Sequence, residues 1–101
     1  MTATQVQVRV PASLRGHTGG RPVVDVDIAA LGSDPTVGTL LDHLATVHPD
    51  LERRVRDEQR RLRRHVNVFV GTENVRDLRE QGTPVAGGDE VAIIPAVSGG
   101  A

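Results

Sequence analysis

The sequence predicts an α+β fold, a two-hairpin sheet with one main helix packed across it. Two alternating β-branched runs open the chain, one apolar stripe of helical period follows, and two more strand-like runs stand in the C-terminal half. Consecutive strands with a segregated helix point to α+β rather than to an alternating α/β arrangement. A length of 101 residues suits one domain, predicted over residues 1–95, followed by a flexible tail over 96–101. Such a chain buries about 60–70% of its unfolded surface, enough for a core without covalent staples.

From Gln5 to Val10 the apolar side chains Val6, Val8 and Val10 alternate with Gln5, Gln7 and Arg9. Period two with β-branched residues predicts a half-buried strand, ended by Pro11. Turn residues at Gly16–Gly20 lead into a second run, with Val24, Val26 and Ile28 predicted inward and Asp25 and Asp27 outward. The pair reads as a β-hairpin. The period then changes: Val37, Leu40, Leu41, Leu44 and Val47 draw one stripe along a helix capped by Thr36 and interrupted at Pro49. Gly38 weakens that helix and is predicted to allow close approach to the sheet. The charged stretch Asp50–Arg64 holds too little apolar periodicity for a buried element, although Leu51 and Val55 could extend the helix by a turn. Val66, Val68 and Val70 alternate again. Gly82–Asp89 is rich in turn residues, and Val91–Ile94 is a nearly continuous apolar run, as expected of a central strand stopped by Pro95.

Composition excludes several kinds of chemistry. The chain has no cysteine, so disulfides, thiolate metal sites and thiol catalysis are out. All of its 12 basic residues are arginine, which removes lysine Schiff-base chemistry and isopeptide acceptance on lysine. Phe69 is the only aromatic residue, against base-stacking platforms and ring-anchored interfaces. A net charge of -1 gives no global field for nucleic acid or anionic membrane. The N-terminus has no basic and apolar leader pattern, and no apolar run approaches the roughly 20 residues that span a bilayer. A cytoplasmic protein with no membrane partner is expected.

The C-terminal segment is the most informative. Gly88-Asp-Glu-Val-Ala-Ile-Ile-Pro-Ala-Val-Ser-Gly-Gly100 places a buried strand directly before small residues and paired glycines. With the helix opening Thr36-Val-Gly-Thr-Leu-Leu41, this segment resembles the ThiS/MoaD family of ubiquitin-like sulfur carriers. Pro11-Ala-Ser-Leu-Arg-Gly-His-Thr-Gly-Gly20 and His65-Val-Asn-Val-Phe-Val70 are similar to the branch that serves cysteine biosynthesis in actinobacteria. The resemblance covers nearly the whole chain and implies a β-grasp fold with a Gly-Gly tail. It also implies a protein cosubstrate rather than an enzyme.

By that resemblance, an E1-like enzyme adenylates Gly100 at the expense of ATP and converts it to a thiocarboxylate. Gly99, Ser98 and Val97 form the tail behind it. The resemblance implies no bound cofactor or metal, and partners that meet the sheet face beside the tail. A chain without cysteine has no persulfide site, which suits sulfur held on a terminal acyl group. Glycine lets the backbone enter a narrow channel, and five extended residues from Ala96 to Gly100 reach roughly 17 Å. Ala101 departs from the pattern, since it moves the terminal carboxylate about 3.5 Å beyond Gly100. Removal of Ala101, by resemblance through a JAMM-type metalloprotease, is expected to precede activation. The sulfur acceptor would sit on a synthase of cysteine-synthase-like, thiosugar or thiazole type, with sulfur bound for cysteine, thiamin, molybdopterin or thiosugars. The resemblance equally allows the small subunit of a molybdopterin-synthase-like complex.

Outside the tail, Arg53, Arg54, Arg56, Arg60, Arg61, Arg63 and Arg64 crowd one short span. They allow a β-grasp RNA-binding module, but the absence of interleaved aromatics favours a solvated, locally paired stretch. His17, His43, His48 and His65 match no metal-ligand spacing. Ser13, Ser33 and Ser98 lie in no nucleophile motif, and Asp25 and Asp27 fit a plain solvent face.

Overall fold

The computed structural model describes residues 3–95 of the chain. Those residues fold as α+β, with a sheet in the order β2-β1-β5-β3-β4. Here β1 is Gln5–Arg9, β2 Val23–Asp27, β3 Val66–Val70, β4 Glu73–Asn74 and β5 Glu90–Pro95. The predicted hairpin is antiparallel, with Val6 opposite Val26 and Val8 opposite Val24. β5 fills the centre, parallel to β1 and antiparallel to β3. The tail predicted at 96–101 lies outside the described residues.

Across one face of the sheet runs α1, Val37–Val47. Its start is fixed by a capping box: the Thr36 hydroxyl accepts from the Thr39 amide at 3.2 Å, and Thr39 Oγ1 accepts from the Thr36 amide at 2.9 Å. Val37, Leu40, Leu41 and Leu44 are buried against Val6, Val8, Val66, Val68, Val91 and Ile93 of the sheet in one core. Val47, predicted on the same stripe, is 47% exposed because the helix ends there. Ile28 also leaves its predicted strand, sitting half-buried in a 3-10 turn over Ile28–Leu31.

The charged stretch after Pro49 is corrected by the structure. Pro49–Val55 forms a second helix, α2, which begins at Pro49 because a proline at the first helical position sacrifices no bonded amide. Leu51 and Val55 are fully buried, and so nearly is Arg56 at 2%. Two apolar residues four apart were enough to dock one side of this short helix, while its arginines covered the other. Gly38 is close-packed, but not against the sheet: a Cβ there would stand 3.1 Å from the Gln81 carbonyl oxygen. Gly87 is tighter still, with Ala3 O only 2.0 Å from an added Cβ. That approach lets the turn before β5 pack on the N-terminal backbone, and Gly88 donates to Gln5 O at 2.8 Å.

Candidate functional site

The predicted site residues Val97, Ser98, Gly99, Gly100 and Ala101 lie outside the described residues. What the structure describes is the platform that leads to them. β5 is bonded on both edges, Val91 facing Val8 on one side and Val70 on the other. Its buried residues Val91 and Ile93 lock its register in the core, since a one-residue slip would turn both toward solvent. The strand therefore delivers Pro95 to a fixed point, opposite Val66 at the start of β3.

Around that point the sheet presents its open face. Phe69, Ala92 and Arg9 form one row across β3, β5 and β1, and Asn67 pairs with Ile94 in the next. Ile94 is 46% exposed, an apolar side chain standing one residue before Pro95. Arg9 bonds Glu90 at 3.0 Å along the same face. The face thus offers a small apolar centre with polar margins, the composition of a transient docking surface.

A residue that the sequence did not single out steadies this end of the sheet. β4 covers only Phe69 and Val70 of β3, which leaves the first residues of β3 without a strand neighbour on that edge. Arg76 takes its place: its guanidinium donates to the carbonyls of Arg63 and Val66, both at 2.8 Å, and to Asn67 Oδ1 at 3.2 Å. Asn74 Nδ2 donates to the same Asn67 oxygen at 3.2 Å. The only sequence signal for this role is an arginine just after a very short strand.

The arginine cluster divides into several environments. Arg56 donates to Glu52 Oε2 at 2.7 Å, Asp42 Oδ1 at 2.9 Å and Gln81 Oε1 at 3.0 Å. It joins α1, α2 and the segment after β4, so it is architectural. Arg60 pairs with Asp42, Arg61 with Asp57, and Arg53 with Asp50. Arg54 and Arg64 have no ion-pair partner among the described residues. Two carboxyls respond to these neighbours. Asp50 is held below the usual aspartate range, chiefly by the hydrogen bond from Arg53. Asp57 is lowered chiefly by the Arg61 backbone amide, which donates to Oδ1 at 3.0 Å.

Ser13 and Ser33 are exposed, and Asp25 and Asp27 face solvent, with Asp27 capping the following 3-10 turn through the Ala29 amide. Among the described residues no group of three or more histidines and carboxylates could hold a metal ion, and no helix is long and apolar enough to cross a membrane.

Comparison with known proteins gives this platform a context. The ThiS family model matches residues 8–100, a span that includes both glycines and stops before Ala101. Sulfur carrier protein CysO of Mycobacterium tuberculosis is 36% identical over 97 residues, covering 94% of this chain and 98% of that protein. Small archaeal modifier protein 1 of Haloferax volcanii is 42% identical over 90 residues, covering 88% and 93% respectively. The crystal structure of the Amycolatopsis orientalis BexX/CysO complex contains a chain matching with a TM-score of 0.77 at 33% identity, over 92% of this chain and 97% of that one. These relatives are named as carriers and modifiers, not as enzymes, and they share the ubiquitin-like β-grasp order found here. The chain belongs to the ThiS family.

Proposed function

We propose that this protein is a sulfur carrier whose working group is the main-chain carboxyl of Gly100. The observation that carries the proposal is the reach of the family match, which runs through Gly100 and ends before Ala101. The platform is consistent with it: β5 holds Pro95 five residues upstream and ends beside an open face fit for a partner.

In this reading, hydrolysis of the Gly100–Ala101 peptide bond by a JAMM-type metalloprotease frees the Gly100 carboxylate. An E1-like enzyme joins that carboxylate to the adenylyl group of ATP and releases pyrophosphate. A sulfide equivalent displaces AMP at the acyl carbon, leaving a thiocarboxylate. The nucleophilic sulfur passes to an acceptor on a synthase, and water returns the acyl group to the carboxylate. No side chain of this protein takes part. Its domain presents the terminus and offers Phe69, Ala92 and Ile94 to each partner in turn. The relative crystallised with BexX supports hand-over on a partner protein, and the relative named sulfur carrier protein CysO supports the carrier role; cysteine is the destination that the resemblance implies.

Incubating chains ending at Gly100 and at Ala101 with the activating enzyme, ATP and sulfide tests this by intact mass. Oxygen-to-sulfur exchange is expected only on the Gly100 form. Equal exchange on both forms would remove the trimming step, and exchange on neither would remove the carrier reading.

The archaeal relative, named a modifier protein, favours a second use of the same activated group, in which a lysine amine of another protein attacks the Gly100 acyl-adenylate, forms an amide and releases AMP and a proton. Because this chain contains no lysine, such modification would place single copies on targets and could not build lysine-linked chains. Tryptic peptides bearing the tail on lysine would reveal it.

A further inference from the structure

The tail end of the sheet carries a basic trough that the carrier chemistry does not use. His17, Asp50, Arg53, Arg54, Arg63 and His65 line a cleft of about 540 Å³. Topology puts it beside Pro95. β1 runs parallel to β5, so the 3-10 turn Ala12–Thr18, which carries His17, emerges at the end where β5 finishes. His65 immediately precedes Val66, the residue paired with Pro95. α2 brings Arg53 and Arg54 to the same end, where it packs on that turn.

The lining is strongly unbalanced in charge. Three arginines face one acid, and that acid, Asp50, is already bonded to Arg53. Arg63 spends its Nε on the Arg53 carbonyl at 2.9 Å, which fixes the chain before β3 against α2. Arg54, His17 and His65 make no ion pair among the described residues. A chain with a net charge of -1 has gathered uncompensated positive charge at one place.

Shape selects the occupant. Arg63 and His65 also line a second cleft with Arg61, Leu62, Arg64 and Asp57, whose carboxylate is already paired with Arg61. The two clefts therefore adjoin and together form the trough. A single phosphate would engage only part of it, whereas an extended chain of carboxylates would follow its length. Phe69, the one aromatic residue, lies on the open sheet face and not in the trough, which leaves no stacking surface for nucleotide bases. We infer that the trough made by His17, Arg53, Arg54, Arg63 and His65 docks an acidic segment of the partner protein that engages the tail. Only the identity of that partner rests on the carrier reading; the docking itself does not need a sulfur-bearing terminus.

The trough would act as a guide. Opposite charge steers encounter and sets orientation, and at physiological salt its reach is about 8 Å, so it works at direct contact. Contacts there, together with the open sheet face, would grip the domain on two sides of Pro95.

A decaglutamate peptide serves as the probe, titrated into the full chain with amide shifts read by NMR. Shifts are expected at His17, Arg53, Arg54, Arg63 and His65, fading as salt is raised. Arg54→Glu is expected to weaken binding by about tenfold or more, the scale of reversing a direct charge contact. Arg79→Glu changes net charge equally at an exposed position outside the trough, and is expected to alter affinity by less than about twofold. Three results would overturn the inference: no shifts at low salt, equal weakening by Arg79→Glu, or a decauridylate that binds as tightly as the peptide. A chain ending at Pro95 should bind the peptide unchanged, so failure here and failure of thiocarboxylate formation are read separately.

Discussion

Arg56 and Arg54 stand two residues apart, and the fold uses them in opposite ways. Arg56 is 2% exposed and bonded at each of its three guanidinium nitrogens, to Glu52, Asp42 and Gln81. Arg54 faces solvent from the neighbouring turn of α2 and lines an open trough. The difference lies in what the surrounding chain offers: three acceptors converge on one guanidinium and, among the described residues, none on the other. A run of like charges is therefore not a unit of function. One of its members can be masonry while its neighbours remain available for recognition.

The largest expected effect tests the masonry. Arg56→Met should destabilise the domain by about 3–5 kcal/mol in urea unfolding, because Glu52 is left buried beside an apolar side chain. Adding Glu52→Leu should recover much of that loss, since an apolar pair of similar volume costs little. A loss unaffected by the second substitution would mean that Arg56 matters by its stem packing and not by its charge.

Next comes the helix that carries Asp42 to Arg56. Thr36→Ala removes the cap of α1 and should cost about 1 kcal/mol, measured as a lower thermal midpoint. Arg54→Glu should change stability by less than about 0.5 kcal/mol, as surface substitutions do. A larger loss would make Arg54 a structural residue after all and dissolve the contrast with Arg56.

The smallest effect is acidic. The carboxyls of Asp50 and Asp57 are lowered on folding, so their contributions are complete above the unfolded aspartate value. They fade as pH falls through the still lower folded values. Asp50 is exposed and Asp57 partly so, and solvent screens both, so the expected change is a shallow slope in stability at the acid end. Asp57→Ala should flatten that slope in a pH series of urea midpoints, and Asp50→Ala should do so independently.

Much of the fold was legible because valines announce it. Val6, Val8, Val24, Val26, Val66 and Val68 alternate with polar residues, and all six are buried as that alternation predicts. Thr36 was readable as a cap since it sits directly before the first stripe residue. α2 was legible only as a one-turn extension of α1 through Leu51 and Val55, because its buried side holds just those two apolar residues with a glutamate and an arginine beside them. Arg56 and Arg76 act on partners brought in from distant segments, and no local pattern records that. The trough is hidden for the same reason: residues 17, 50–54 and 63–65 meet only after the sheet has formed. The proposed site rests on a motif, since strand, proline, small residues and paired glycines stand in one continuous segment whose tail lies outside the described residues.

The central place of β5 has a mechanical consequence. A partner that grips the chain beyond Pro95 pulls on a strand laced to β1 in parallel and to β3 in antiparallel register. Force along that direction loads many lateral bonds at once instead of peeling them one after another. In the proposed carrier cycle, that lacing would keep the body folded while a partner handles what lies beyond Pro95.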